Sequence, residues 1–283
     1  MVAPLGGWRS GEASAAGRPR DFATEEDVVR RWISGAIAVG VGIGVLGPMP
    51  AAQAGFCPTP LAHRGFVNSN IDPDTLPAIK RAAKFGGAEL DIHVTKDGKL
   101  VVIHNAKLNK STNGTGYVHN RTYKYISKLR TKNGARVPTF ARVGKVAARK
   151  NMTIAAELKL RNQWTPATYG TAGRIAKKAT REGATIYLGG RGRGFEVDLP
   201  MYAGGALTYW IVGSSQKLNK ANAQARDVDM AMANVGKWGR AKVRAFKRAD
   251  IVPAAQETQR IKRAKFLRLT YVVTDFPKAV VCR

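Results

Sequence analysis

The segment from Gly86 to Asn105 holds the residue types and the spacing best suited to chemistry. Its first half has the apolar pattern of a buried strand, and Glu89, Asp91 and His93 fall at every second position. Side chains two residues apart point to the same face of a strand. Two carboxylates so close together repel each other unless a cation lies between them, and Mg²⁺ and Ca²⁺ prefer such oxygen ligands. The pattern therefore predicts a divalent metal site.

A second strand follows closely and ends at another histidine. Lys96–Lys99 has the composition of a tight hairpin turn, and the apolar run Leu100–Ile103 leads to His104. Parallel α/β folds place their chemistry at the carboxyl ends of the strands. A polar loop, Lys107–Thr122, comes next and is long enough to carry function. A carboxylate pair beside a histidine suggests a metal-assisted hydrolase.

Strand-like and helix-like segments alternate along most of the chain. They recur at roughly 25-residue steps, which is typical of a parallel sheet with crossover helices. We count about eight such strands, the number that closes a TIM barrel. The sequence therefore predicts an α/β fold, a single-domain TIM (β/α)8 barrel.

The N-terminal part of the chain has the pattern of an export signal. Arg30-Arg31 precedes the uncharged run Trp32–Leu46, and Ala52-Gln53-Ala54 follows it. A basic start, a short apolar core and an A-x-A site are typical of a cleavable secretory signal, and this core is short for a membrane span. We predict that residues 1–54 are a signal peptide with an N-terminal extension, and that residues 55–283 are a barrel secreted from the cell.

The chain contains two cysteines, Cys57 and Cys282. An even pair in an exported protein favours a disulfide. Two free thiols at the chain ends are the alternative interpretation.

The formal net charge of the chain is +28. The acidic and basic residues of 1–54 balance, so the whole excess falls on the rest of the chain. Such a field attracts anionic lipid, a phosphate-bearing wall polymer or nucleic acid. Nucleic acid is the weakest of these alternatives because we find no known nucleic-acid-binding motif. A solvated basic surface without a dedicated partner is a further interpretation.

Several short motifs, in their order and spacing, resemble those of the glycerophosphodiester phosphodiesterase family of TIM barrels. They are His63-Arg64-Gly65, Glu89-Leu90-Asp91, Val101-Val102-Ile103-His104, Glu157-Leu158-Lys159 and Thr274-Asp275-Phe276-Pro277. The resemblance extends from about Leu61 to Pro277. Each motif is short, but their common order makes the resemblance specific.

This resemblance implies a catalytic machinery with one divalent cation, Mg²⁺ or Ca²⁺. The implied metal ligands are Glu89, Asp91 and Glu157. His63 and His104 would form a general acid–base pair, and Arg64 and Lys159 would bind the phosphoryl group and stabilise its charge. The implied activity is hydrolysis of glycerophosphodiesters to sn-glycerol 3-phosphate and an alcohol.

The sequence departs from the family pattern at two places near these residues. Pro73-Asp74-Thr75 stands where the family has E-N-T, so Asp72 or Asp74 either replaces the missing glutamate or caps the next helix. Asn105 stands where the family has an aspartate after the histidine. An asparagine carries no charge that could tune His104.

Two other functions fit the same residues. A phospholipase D of the sphingomyelinase D type resembles the same barrel, although Glu157 stands where we expect an aspartate ligand in that relative. A catalytically weak barrel would instead bind an anionic wall polymer through charge. Its binding would survive removal of the metal and fall steeply with salt.

Overall fold

A computed structural model of the protein describes residues 56–256 and 258–280, except for the side chain of Arg193. The predicted signal segment, residues 1–54, and Cys282 lie outside the described residues. No helix within the described ranges is long and apolar enough to span a membrane.

Nine strands of the described residues form one sheet, which closes on itself. They are β1 Thr59–His63, β2 Gly87–Val94, β3 Leu100–Val102, β4 Thr153–Leu158, β5 Thr185–Gly190, β6 Thr208–Ile211, β7 Met230–Ala233, β8 Val252–Ala255 and β9 Tyr271–Thr274. Eight of them are parallel to their neighbours, and β1 pairs with both β2 and β9. β3 instead pairs antiparallel with the end of β2, as the predicted hairpin turn requires.

Helices follow the strands around the barrel. They are α1 Leu76–Ala82, α2 Tyr123–Ile126, α3 Phe140–Arg149, α4 Pro166–Arg181, α5 Arg193–Tyr202, α6 Lys220–Gln224, α7 Arg240–Lys247, α8 Ile261–Leu267 and α9 Pro277–Val280. The side chains of Thr75, Thr139 and Thr165 accept backbone N–H bonds at the starts of α1, α3 and α4. The predicted single TIM barrel is confirmed.

Side chains on the two faces of the closed sheet pack differently. Outward-facing residues pack against the helices, whereas a smaller apolar cluster fills the barrel interior. The interior cluster includes Leu61, Ala155, Tyr187, Tyr209, Met230, Met232, Ala254 and Val273. At the carboxyl end of β2 and β4 the inward positions become acidic, so the apolar filling forms the floor under a polar mouth.

The chain between β3 and α3, residues 103–139, forms a folded wall over one side of this mouth. We call it the β3–α3 segment. It has a small apolar cluster of its own, made by Val101, Ile103, Leu108, Val118, Ile126, Leu129 and Val137. Gly114 packs so closely on Leu129 that a Cβ atom there would lie 2.4 Å from a Leu129 methyl carbon.

Candidate active site

Three carboxylates lie together at the carboxyl end of the barrel. Glu89 and Asp91 project inward from β2, and Glu157 lies on β4 directly beside Asp91 in the strand register. All three are buried, and one oxygen from each lies within 4.8 Å of the others. Burial, and then repulsion from the neighbouring carboxylates, raises the pKa of Glu89 well above its usual range. Such crowded oxygen donors fit a hard divalent cation, which would relieve the repulsion.

Three basic side chains surround these carboxylates. The Lys159 ammonium lies 2.7 Å from Asp91 Oδ1 and 2.9 Å from Glu157 Oε1. Burial opposes its charge, but the two carboxylates prevail and raise the pKa of Lys159. Arg64 Nε lies 3.4 Å from Asp91 Oδ2, and Arg191 Nε lies 3.2 Å from Glu157 Oε1. These cations can bind phosphoryl oxygens at the edge of a metal site.

The turn after β1 explains why a glycine follows Arg64. Both residues have positive φ, 56° at Arg64 and 86° at Gly65. A Cβ atom on Gly65 would lie 2.8 Å from the backbone of Ala78, so only glycine lets α1 approach this closely. The turn points the Arg64 backbone N–H at Glu89 Oε2, 3.3 Å away.

His63 ends β1 and is bonded to a carboxylate from the other end of the chain. Its Nδ1 lies 2.8 Å from Oδ1 of Asp275, which directly follows β9, and its Nε2 lies 3.9 Å from Glu89 Oε2. A carboxylate at one ring nitrogen holds the proton there and leaves the other nitrogen to accept one. That other nitrogen, Nε2, lies on the side of the metal ligands.

His104 follows β3, and the neighbouring residues hold it in place. Nε2 of His93 lies 3.2 Å from the His104 carbonyl oxygen. Burial lowers the pKa of His93 to about 4, so its neutral ring donates this bond. Burial also lowers the pKa of His104, an effect that nearby Asp91 opposes. Asn105 donates to Ser111 Oγ at 3.0 Å and also bonds to His104.

Asp74 is a further acidic residue of the site. Its side chain is buried, and Oδ1 accepts a bond from the Asp91 backbone N–H at 3.3 Å. Burial, and then the charge of Asp91, raises the pKa of Asp74 well above its usual range. Thr75 is the residue that caps α1, and Asp72 accepts bonds from Asn133. Of the two alternatives weighed above, Asp74 is thus the one that brings a carboxyl group to the site.

The predicted catalytic, substrate-binding and metal residues all lie at this end of the barrel, and the structure adds others that spacing does not reveal. Arg191 directly follows β5, which is the one signal the sequence offers for it, whereas Asp275 directly follows β9 and is part of the motif Thr274-Asp275-Phe276-Pro277. Tyr209 projects inward from β6, and its buried hydroxyl has no hydrogen-bond partner among the described residues. Burial and the nearby carboxylates raise the pKa of Tyr209 well above its usual range.

A cavity of about 750 Å³ opens beside the carboxylates. It begins at Arg64, Asp74 and His104 and extends under the β3–α3 segment. A volume of this size is ordinary for a small-molecule site. Substrate bound at the carboxylates could therefore extend along this wall.

Comparison with known proteins agrees with this geometry. Residues 63–181 match the family model described as "Glycerophosphoryl diester phosphodiesterase family". This part of the chain is therefore similar to that family. The match contains all seven predicted catalytic, substrate-binding and metal residues, from His63 to Lys159, and it ends at the last residue of α4.

Individual relatives support the family and the fold separately. A glycerophosphodiester phosphodiesterase from Caldanaerobacter subterraneus subsp. tengcongensis is 38% identical over 108 residues, which are 35% of this chain and 44% of that protein. The chain thus spans less than half the length of this curated relative. A phosphodiesterase of Oleispira antarctica, solved in complex with the product sn-glycerol-3-phosphate, superposes with a TM-score of 0.68 at 17% identity and covers 80% of this chain and 96% of its own. A Thermotoga maritima glycerophosphodiester phosphodiesterase superposes with a TM-score of 0.61 at 17% identity, over 78% of this chain and 96% of its own.

Proposed function

We propose that this protein is a metal-dependent glycerophosphodiester phosphodiesterase that releases sn-glycerol 3-phosphate and an alcohol. The observation that carries the proposal is the buried set of Glu89, Asp91 and Glu157, with a histidine at the end of each adjoining strand. This set lies within residues 63–181, the part of the chain that matches the family model. The names of the relatives above support the same activity.

The three carboxylates would hold one divalent cation, Mg²⁺ or Ca²⁺. When bound, the cation supplies Lewis-acid polarisation of the phosphodiester oxygens. Lys159, Arg64 and Arg191 bind the remaining phosphoryl oxygens and stabilise the charge that grows on them in the transition state.

The two histidines move the protons. As the new O–P bond forms, Nε2 of His63 accepts a proton of the attacking water molecule, and Asp275 stabilises the resulting imidazolium. As the bond from phosphorus to the departing oxygen breaks, His104 donates a proton to that oxygen. We assign His63 as the base because the contact of its Nδ1 with Asp275 orients the ring with Nε2 towards the metal ligands.

Hydrolysis of glycerophosphocholine, followed as release of glycerol 3-phosphate with and without EDTA, tests this function. We expect turnover that EDTA abolishes and added Mg²⁺ or Ca²⁺ restores, and we expect Glu89→Gln to abolish it as well. Glu182→Gln is the matched control, because Glu182 is exposed at the end of α4 and pairs with Lys178. Full turnover in EDTA and in Glu89→Gln would reject the mechanism.

We also propose that the protein acts outside the cell, near an anionic wall polymer or membrane surface. The signal-like residues 1–54 and the excess positive charge of the remaining chain support this location. An oxidising compartment would also allow the predicted disulfide between Cys57 and Cys282 to form. Phosphodiester polymers of a wall would then be concentrated at the protein surface.

A further inference from the structure

The far end of the cavity beside the carboxylates is lined by basic and amide side chains. Its walls there are formed by Asn109, Lys110, Thr112, Asn113, Arg130 and Lys132. All of them belong to the β3–α3 segment. The catalytic proposal uses the near end of the cavity, at Arg64 and His104, and leaves this far end without a role.

Arg130 is one of the three basic residues that line this end of the cavity, with Lys110 and Lys132. Its Nη1 atom is buried and has no hydrogen-bond partner among the described residues. A buried N–H group without a partner is unfavourable, and more so when the group is charged. Within the described ranges, Arg130, Lys110 and Lys132 form no salt bridge. The arrangement therefore favours an anion that comes from outside the chain.

The acidic residues that line the same cavity are already engaged. The Asp72 carboxylate accepts bonds from the backbone N–H and the side-chain amide of Asn133, at 2.7 and 2.9 Å. The Asp74 carboxyl group accepts a bond from the Asp91 backbone N–H at 3.3 Å. Neither carboxyl group neutralises Arg130.

The segment also holds Arg130 in a fixed place. The Arg130 backbone N–H donates to Asn113 Oδ1, and the Asn113 backbone N–H donates to the Arg130 carbonyl, both at 2.9 Å. Leu129, next in the chain, is buried in the segment's own apolar cluster. A binding group that is held in position before the ligand arrives loses less entropy on binding.

We propose that the far end of the cavity binds a second phosphate, carried by the alcohol half of the substrate. This inference rests on the proposed function and narrows its substrate class. The glycerol half of a glycerophosphodiester has no charge beyond the phosphate that is cleaved, so a second anionic group belongs to the alcohol half. The preferred substrates are phosphodiesters of a phosphorylated alcohol, as in a chain of glycerol phosphates, and a cationic alcohol such as choline is disfavoured. The alcohol then departs on the side of His104, which agrees with this residue as the acid.

Three substrates test the proposal: glycerophosphocholine, glycerophosphoglycerol, and glycerophosphoglycerol with a terminal phosphate. The readout is the preference, defined as kcat/KM for the phosphate-bearing substrate divided by kcat/KM for glycerophosphoglycerol. We expect the wild-type protein to prefer the phosphate-bearing substrate by about tenfold or more, since a charge-assisted hydrogen bond contributes roughly 1.5–3 kcal/mol. Arg130→Gln should remove most of this preference, and Arg130→Lys should keep part of it.

Arg149→Gln is the matched control, because Arg149 is an exposed residue at the end of α3 and does not line the cavity. It should leave the preference unchanged. Equal kcat/KM of wild-type protein for the phosphate-bearing and uncharged substrates would overturn the second-phosphate site while the proposed function stands. This wild-type measurement holds even if an Arg130 variant fails to fold. Hydrolysis of none of the three substrates would instead reject the proposed function itself.

Discussion

Asp275 has a side chain that is 61% exposed, yet one of its oxygens lies 2.8 Å from Nδ1 of His63. An ion pair this exposed contributes little to the stability of a fold, because water screens it. Its effect is on the histidine, since the bond selects the tautomer and the orientation of the ring. Asp275 is thus a positioning residue for the proposed base.

Replacing Asp275 by asparagine should lower kcat more than it changes KM. The amide cannot stabilise an imidazolium, and it can turn its NH₂ group towards Nδ1 and favour the wrong tautomer. Loss of such a supporting partner typically costs about 10–100-fold in activity. Steady-state kinetics on glycerophosphocholine would show a fall of this size in kcat, with urea unfolding close to that of the wild type.

Asp250→Asn serves as the control, because Asp250 is exposed and precedes β8 at the opposite end of the barrel. An Asp275→Asn variant with wild-type kcat would show that the 2.8 Å contact between Asp275 Oδ1 and His63 Nδ1 has no catalytic role. A large loss of stability would show that the contact is structural.

At the residue scale, the sequence predicts those groups that share a strand or a short motif. Glu89 and Asp91 follow from their spacing, and Glu157 and the two histidines follow from motif order. Asp275 lies 212 residues from His63 in the chain, so no local pattern could link the two. Asp74 appears in the sequence only as a possible helix cap, and its buried bond to Asp91 depends on the turn after β1.

Among the elements, β5 and β6 fit together because β5 has a glycine where β6 has a tyrosine. Gly189 and Tyr209 are partners in the register of these strands, and both face the barrel interior. A Cβ atom on Gly189 would lie 2.4 Å from the Tyr209 ring. Because Gly189 has no side chain, the Tyr209 ring has room to lie beneath the carboxylates.

Gly189→Ala should destabilise the barrel by about 1–3 kcal/mol, the usual cost of overpacking a core. Urea unfolding measures this change in the free energy of unfolding. Tyr209→Leu, combined with Gly189→Ala, should recover part of the loss, because the smaller side chain vacates the space that the new methyl group needs. The recovery appears as a coupling energy in a double-mutant cycle.

Gly239→Ala is the comparison for a glycine in open space, since no atom would lie within 4 Å of its Cβ. If Gly189→Ala were as mild as Gly239→Ala, the packing argument would be wrong. Additive effects of Gly189→Ala and Tyr209→Leu would contradict it as well.

Element prediction succeeds where the pattern is regular and fails where packing decides. The hairpin of β2 and β3 follows from a tight turn between apolar runs, and the structure confirms it. The sequence analysis assigns no helix to Arg193–Tyr202, because Gly192, Gly194 and Pro200 interrupt any helical pattern. α5 forms there because Phe195 and Leu199 are buried in the core against β5.

For the molecule as a whole, the closure of the barrel brings the two ends of the described chain together. β1 pairs with β9, and Cys57 Sγ lies 3.1 Å from the carbonyl oxygen of Val280. Val280 is two residues before Cys282, which is outside the described residues. The disulfide stays a prediction. Alternation of strands and helices predicts the barrel, but this closure comes from strand pairing that no local pattern reveals.

Protein purified from the culture medium should begin near Gly55 and contain no free thiol. A bridge across so long a loop stabilises the fold by roughly 5 kcal/mol in the chain-entropy description. Replacing both cysteines by serine should lower the unfolding midpoint clearly, and a reductant should do the same to the wild type only. Mass spectrometry with a thiol-alkylating reagent counts the thiols. Two alkylated cysteines in freshly secreted protein would reject the bridge.

The β3–α3 segment has an apolar cluster of seven residues, distinct from the layers that hold the barrel together. A unit with so few buried contacts opens at a lower free energy than the core around it. On warming, its amide hydrogens would exchange with solvent before those of the barrel strands, and the wall of the cavity would melt while the barrel stayed folded. The protein would lose its discrimination between substrates first and its fold later, and cooling would restore both in the reverse order.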